Sequence, residues 1–250
     1  VEGQHGILVA ASDRTDPLQS RVAFFALDRK TGVLTALGHV ASGAGEAYGL
    51  CMAPQGGSDS SGVDRMRIYA AIKDGTVREI TVSYAPGALN GKVTAEWKIP
   101  TQIEGCVVDE ASKRLFVGEE TVGIHAIDLV KTSAKPRLFA KADGKTLVAD
   151  VEGLALAKLP GGRRVLLASS QGDNAYAAYD AASGAYLGRF RIGEGAIDGT
   201  SETDGIDVVT GDFGPGFPGG LFVAQDGDNG AGTQNFKLVA WDDIARALGL

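Results

Sequence analysis

A short strand that opens on an acidic or aromatic residue followed by glycine occurs four times in this chain. The copies are Ala47-Tyr48-Gly49-Leu50, Ile103-Glu104-Gly105-Cys106, Val151-Glu152-Gly153-Leu154 and Thr203-Asp204-Gly205-Ile206. Their spacing of roughly fifty residues is the period of propeller blades. Each copy is followed by a second apolar strand, at residues 67–70, 114–117, 165–168 and 221–224. Third strands are predicted at 77–80, 123–127, 175–179 and 236–239, and fourth strands at 94–99, around 137–139 and at 186–190. Turn residues separate them throughout. Before the first copy, residues 6–10, 22–27 and 34–37 read as second, third and fourth strands of a blade whose innermost strand is missing. The last blade stops after its third strand, and the one convincing helix covers residues 242–248. The expected fold is all-β, a propeller of about five blades with one or two incomplete, forming a single domain over residues 1–250.

With 250 residues and 36 glycines, the chain is long enough for one large core with many tight turns. Its net charge of −7 argues against a nucleic-acid partner. The same charge suits a polyanionic substrate only if bound cations reverse the local field. No apolar run is long enough to span a bilayer, and no signal peptide stands at Val1. Both a cytosolic chain and a processed secreted one fit. Cys51 and Cys106 lie in no Cys-x-x-Cys motif, and two buried thiols are expected.

Residues 198–235 are dense in Asp, Gly and Thr, which favour turns over helix interiors. Asp198, Asp204 and Asp207 precede the strand at 221–224, and Asp226, Asp228 and Asn229 follow it. No His or Cys joins them, so the alternatives are a solvated acidic surface or an oxygen-only cage for a hard cation, Ca²⁺ before Mg²⁺. Innermost strands of a propeller line its channel, so the repeated acid position can form a ring. Glu104, Glu152 and Asp204 occupy it, with Asp150 on the same strand face as Glu152. Tyr48 stands where the other copies carry the acid, with Glu46 beside it as a weaker candidate ligand. Arg14 and Lys73 end equivalent second strands, where a cation can grip phosphate or simply face water. The three histidines, His5, His39 and His125, are scattered, and the motifs of histidine and cysteine phosphatases, of Gly-x-Ser-x-Gly hydrolases and of Walker proteins are absent. A covalent phosphoenzyme is not expected.

The run Asp198-Gly199-Thr200-Ser201-Glu202-Thr203-Asp204-Gly205-Ile206-Asp207, with Gly220-Leu221-Phe222-Val223-Ala224-Gln225-Asp226-Gly227-Asp228-Asn229 and Gln234-Asn235-Phe236-Lys237, resembles the β-propeller phytases. Asp150-Val151-Glu152-Gly153-Leu154 and Ala168-Ser169-Ser170-Gln171-Gly172-Asp173-Asn174 are similar to the same family. The resemblance implies a six-bladed calcium-dependent hydrolase of myo-inositol hexakisphosphate, of which this chain lacks roughly a blade and a strand at its N-terminus, together with calcium ligands and phosphate-binding lysines.

It further implies catalytic-calcium ligands at Glu104, Glu120, Asp150, Glu152, Asp198 and Asp204. Phosphate contacts are implied at Arg14, Lys73 and Tyr48, and rim or structural calcium positions at Gln171, Asp226, Asp228 and Asn229. Asp228 replaces a family Glu, and the loop after it is short. The implied reaction is attack of a metal-activated water on a phosphate ester by a monomeric, secreted or periplasmic enzyme, with the calcium complex of phytate as substrate. The rival readings are a non-catalytic calcium-binding propeller and a calcium-dependent propeller lactonase.

Overall fold

The computed structural model describes residues 2–3, 6–55, 63–85 and 87–250. They form five consecutive antiparallel sheets, each a meander of neighbouring strands. The first sheet holds Glu2–Gly3, Gly6–Asp13, Gln19–Leu27 and Leu34–Ala44. The second holds Ala47–Pro54, Asp64–Ile72, Thr76–Ala85 and Ala88–Lys98. The third holds Ile103–Asp109, Arg114–Glu119, Gly123–Asp128 and Arg137–Lys141. The fourth holds Val151–Lys158, Arg164–Ser170, Ala175–Asp180 and Tyr186–Phe190. The fifth has three strands, Ile206–Thr210, Gly220–Asp226 and Asn235–Ala240, and runs into the helix Trp241–Leu248. Sequential four-stranded meanders are the units of a β-propeller, so the fold class is the expected one.

The chain divides into two compact units, Val1–Glu104 and Gly105–Leu250. The division falls inside the strand Ile103–Asp109, one residue past Glu104. In the first unit Phe24, Ile68, Ile72 and Ile80 are fully buried in one core. In the second unit the strand Arg164–Ser170 feeds two cores. Leu166 and Ala168 pack with Phe116 and Leu154, while Val165 and Leu167 pack with Phe222 and Trp241. Alternate residues of a strand point to opposite faces, so a strand buried on both faces reads as an unbroken apolar run. That is why Val165 to Ala168 show no polar alternation. The helix seals one of these cores with Trp241 and Ile244, and Gly249 closes it in a left-handed turn whose N–H meets the Ala245 carbonyl.

In the Glu104-Gly105 and Glu152-Gly153 copies the glycine has a steric cause. A Cβ on Gly105 would stand 2.1 Å from the Glu152 carbonyl oxygen, and one on Gly153 would stand 2.5 Å from the Asp204 carbonyl oxygen. Gly153 N–H donates to that same Asp204 carbonyl at 2.6 Å. The first strands of successive sheets therefore touch backbone to backbone, and any side chain at these positions would force them apart.

Two expectations need correction. The first sheet does carry a first strand, the two-residue Glu2–Gly3 paired Gly3 to Gly6 and Glu2 to Ile7. Two residues give too little apolar pattern to register in a sequence. The cysteines are not free thiols: Cys51 and Cys106 are both disulfide-bonded. They sit two and one residues past the repeated glycine of consecutive copies, so the repeat equates positions that lie far apart along the chain.

Candidate functional site

Three of the expected ligands converge. Glu104 is the second residue of Ile103–Asp109, Glu152 is the second residue of Val151–Lys158, and Glu120 opens the turn after Arg114–Glu119. Each offers a carboxylate oxygen, and the three lie within 4.8 Å of one another. Backbone contacts fix this grouping. Val151 N–H donates to the Glu120 carbonyl at 2.9 Å, tying that turn to the residue before Glu152. Gly105, the residue after Glu104, lies against the Glu152 carbonyl. Glu152 is only 5% exposed, so its charge is held where water is scarce.

Asp150 and Asp204 flank this group along the chain. The Asp150 carbonyl accepts the Gln171 N–H at 3.0 Å. Gln171 then donates its side-chain amide to Asp204 Oδ1 at 2.8 Å, and the Asp204 N–H donates to Gln225 Oε1 at 2.7 Å. Desolvation holds the Asp204 carboxyl above the usual carboxylate range, against the lowering effect of Gln171.

Three of the remaining expected ligands, Asp198, Asp226 and Asn229, gather round a residue that the sequence did not single out. Lys237 Nζ lies 2.8 Å from Asp198 Oδ1, 2.9 Å from Asp226 Oδ2, 3.0 Å from Asn235 Oδ1 and 3.5 Å from Asn229 Oδ1. Lys237 is 5% exposed, and its ammonium is held in the charged form, first by Asp198 and then by Asp226. Asp226 is buried and also accepts the Ser201 N–H at 3.0 Å. Asp228 is exposed, caps the Gly230 N–H at 3.1 Å and takes the Ser201 hydroxyl on its carbonyl at 3.2 Å. The missed signal was alternation: Phe236 and Leu238 face out, so Lys237 faces in, and a buried lysine needs anions round it.

The expected phosphate-binding residues form a cluster within the first unit. Arg14 donates to Glu46 Oε1, with its Nε at 3.0 Å, and Lys73 Nζ lies 3.8 Å from Glu46 Oε2. The Arg14 guanidinium carbon stands 4.4 Å from the Tyr48 ring centroid, and Lys73 Nζ stands 5.0 Å from it. Both cations use the ring quadrupole as well as the shared carboxylate. Arg14 holds the Glu46 carboxyl below its usual range, chiefly by hydrogen bonding. Two cations share this one carboxylate, and its hydrogen bond is the main reason Arg14 is held in the charged form. Glu46 therefore serves as the partner of two cations. Of the histidines, His125 pairs its Nε2 with buried Glu119 at 2.7 Å, His39 approaches Asp13 at 3.3 Å, and His5 lies outside the described residues.

The family model for Phytase matches residues 1–250. The 3-phytase of Bacillus subtilis (strain 168) is 36% identical over 263 residues, an alignment covering 100% of this chain and 67% of the relative. The WD40 domain of Toxoplasma gondii coronin superposes with a TM-score of 0.53 over 92% of this chain and 53% of that one, so the chain spans about half the length of that protein. At 13% identity this likeness concerns the fold, and it is a propeller fold. The three acid–Gly copies with their Tyr–Gly counterpart, the three converging carboxylates and the family match over residues 1–250 agree: this chain belongs to the phytase family and is a phytase-type enzyme.

Proposed function

We propose that the chain hydrolyses phosphate monoesters of myo-inositol hexakisphosphate, with calcium held by Glu104, Glu120 and Glu152. The observation that carries this is the convergence of three carboxylate oxygens within 4.8 Å in a chain of the phytase family. The donor set is all oxygen, which suits a hard cation. Ca²⁺ accepts irregular sets of carboxylate oxygens more readily than Mg²⁺, which demands near-octahedral geometry. When bound, the ion supplies positive charge for phosphate oxygens and acidifies a coordinated water.

The protein's own residues do the rest. Glu152, buried at its strand end, holds its carboxylate in one place. Asp150 and Asp204 are candidates for further oxygen donors at the rim. Arg14 and Lys73, two cations on the one Glu46 carboxylate, steady phosphoryl oxygens, Arg14 by a fork and Lys73 as a point charge. Tyr48 orients both cations through its ring face. No nucleophilic side chain is needed, because water attacks phosphorus in line. The disulfide-bonded state of Cys51 and Cys106 supports a secreted or periplasmic setting, where disulfides persist.

The test is phosphate release from calcium phytate, with and without a chelator. Release that stops with chelator and returns with calcium is expected. Undiminished release in chelator would overturn the calcium reading, and no release under any condition would favour a binding protein.

A further inference from the structure

The adjacent glutamates Glu119 and Glu120 are used differently. Glu120 joins Glu104 and Glu152, whereas Glu119, the last residue of Arg114–Glu119, is only 1% exposed and stands outside that group. With its ring proton on Nε2, His125 donates to Glu119 Oε2 at 2.7 Å. His125 is itself buried, and its Nδ1 has no hydrogen-bond partner among the described residues. Burying a ring nitrogen without a partner is unfavourable, so packing alone would select an apolar residue here. What histidine adds at this position is the bond to Glu119.

The third sheet builds this contact. Where Arg114–Glu119 pairs with Gly123–Asp128, Val117 stands opposite His125 and Glu119 stands opposite Gly123. Residues two apart on a strand share a face, so Glu119 and His125 are diagonal neighbours on one face. Gly123 places no side chain opposite Glu119. It adopts a φ of +139°, and a Cβ there would stand 2.1 Å from the Ala140 carbonyl oxygen. A bulge falls between Ile124 and His125 in the pairing with Arg137–Lys141, and bulges re-aim side chains beside functional sites. Backbone bonds tie down the turn itself: Val122 N–H donates to the Glu119 carbonyl at 3.0 Å, and Ala142 N–H donates to the Val122 carbonyl at 2.9 Å.

We infer that His125 is a positioning residue for the candidate calcium centre: by holding the Glu119 carboxylate it fixes the turn from which Glu120 reaches Glu104 and Glu152. Three carboxylates within 4.8 Å of one another repel until a cation lies between them. Glu104 and Glu152 sit on strands, and Glu120 sits on a turn, so Glu120 is the member that yields first unless its neighbour is pinned. The His125–Glu119 bond supplies that pin without touching ion or substrate. Partners of this outer kind set metal affinity by orienting the residues that hold the ion. The inference rests on the reading of these acids as a calcium site.

The experiment compares wild type with His125→Phe, which keeps a ring and removes the donor, and with His125→Gln, whose side-chain amide can still donate to Glu119. Calcium affinity is read by calorimetry well below every melting temperature, and Tm is read separately in chelator. His125→Phe is expected to weaken calcium binding roughly tenfold, and His125→Gln to restore most of the loss. In a Glu120→Gln background the Phe change is expected to weaken calcium binding no further. A lower Tm in chelator with unchanged calcium affinity overturns the positioning role and marks His125 as structural. An equal affinity loss in the Glu120→Gln background overturns it too, because the effect would then not pass through Glu120. Should His125→Phe fail to fold, Glu119→Gln carries the test by weakening the same bond from its other side: a loss of similar size is expected, and unchanged affinity overturns the inference. If wild type binds calcium and His125→Phe loses it, yet wild type releases no phosphate from phytate, the proposed function fails and the positioning role stands. Wild type that binds no calcium sinks both.

Discussion

Two oxygen-rich clusters in this protein use similar residues and differ in what their oxygens meet. Round Lys237, the oxygens of Asp198, Asp226, Asn229 and Asn235 close on an ammonium supplied by the chain itself. Round Glu152, carboxylates from two first strands and one turn approach each other within 4.8 Å. The first arrangement carries its own cation and welds the residue-198 loop to the last sheet. The second concentrates negative charge where a cation from solution gains most. Acidic residue type alone does not separate these roles; the neighbouring strand decides them by what it points inward.

The comparison breaks most easily at Glu152. Glu152→Gln keeps the shape and removes the charge. Phosphate release from calcium phytate should fall about a thousandfold or more, which is about 4 kcal/mol in the barrier. Millimolar calcium should raise the Tm of the wild type and leave that of the variant unchanged. Near-normal turnover would mean that the chemistry lies elsewhere.

Lys237→Met tests the other cluster and should do the opposite. Leaving Asp226 buried without its ammonium should lower Tm by roughly 5–10 °C, while turnover per folded molecule stays within a few-fold. Thermal melts and phosphate release on the same samples check this. Activity lost at constant Tm would assign Lys237 to the chemistry and erase the distinction.

The smallest effect sharpens the comparison by supplying a carboxylate with a purely local role. Asp143 accepts N–H groups from Lys145 at 2.8 Å and Thr146 at 2.7 Å, which hold its pKa down to about 2. Its folded pKa is depressed, so its contribution is present above the ordinary carboxylate range and lost as pH falls through about 2. Asp143→Asn should therefore cost roughly 2–4 °C of Tm near neutrality. The variant should also lose less on acidification than the wild type. Parallel acid melts would show that this loop adds nothing to acid sensitivity.

The sequence by itself determined the five sheets, the three-stranded last one, the terminal helix and the positions of Glu104 and Glu152. These follow from local pattern: period-two apolar strands, turn residues, and an acid–Gly pair repeated at blade spacing. Arg14 and Lys73 were legible as equivalent strand ends, and their grouping with Tyr48 as phosphate contacts came from the family resemblance.

Only the tertiary structure decided that Lys237 sits amid Asp198, Asp226 and Asn229, and that Arg189 and Arg191 share Asp173. It also decided that both cysteines are bonded, and that Gly105 and Gly153 stand where backbones touch. The reason is physical. A strand's pattern fixes which face a side chain takes, but which partner waits on that face depends on how sheets far apart in sequence pack. A buried charge is stable only when that packing brings its counter-charge to hydrogen-bonding distance.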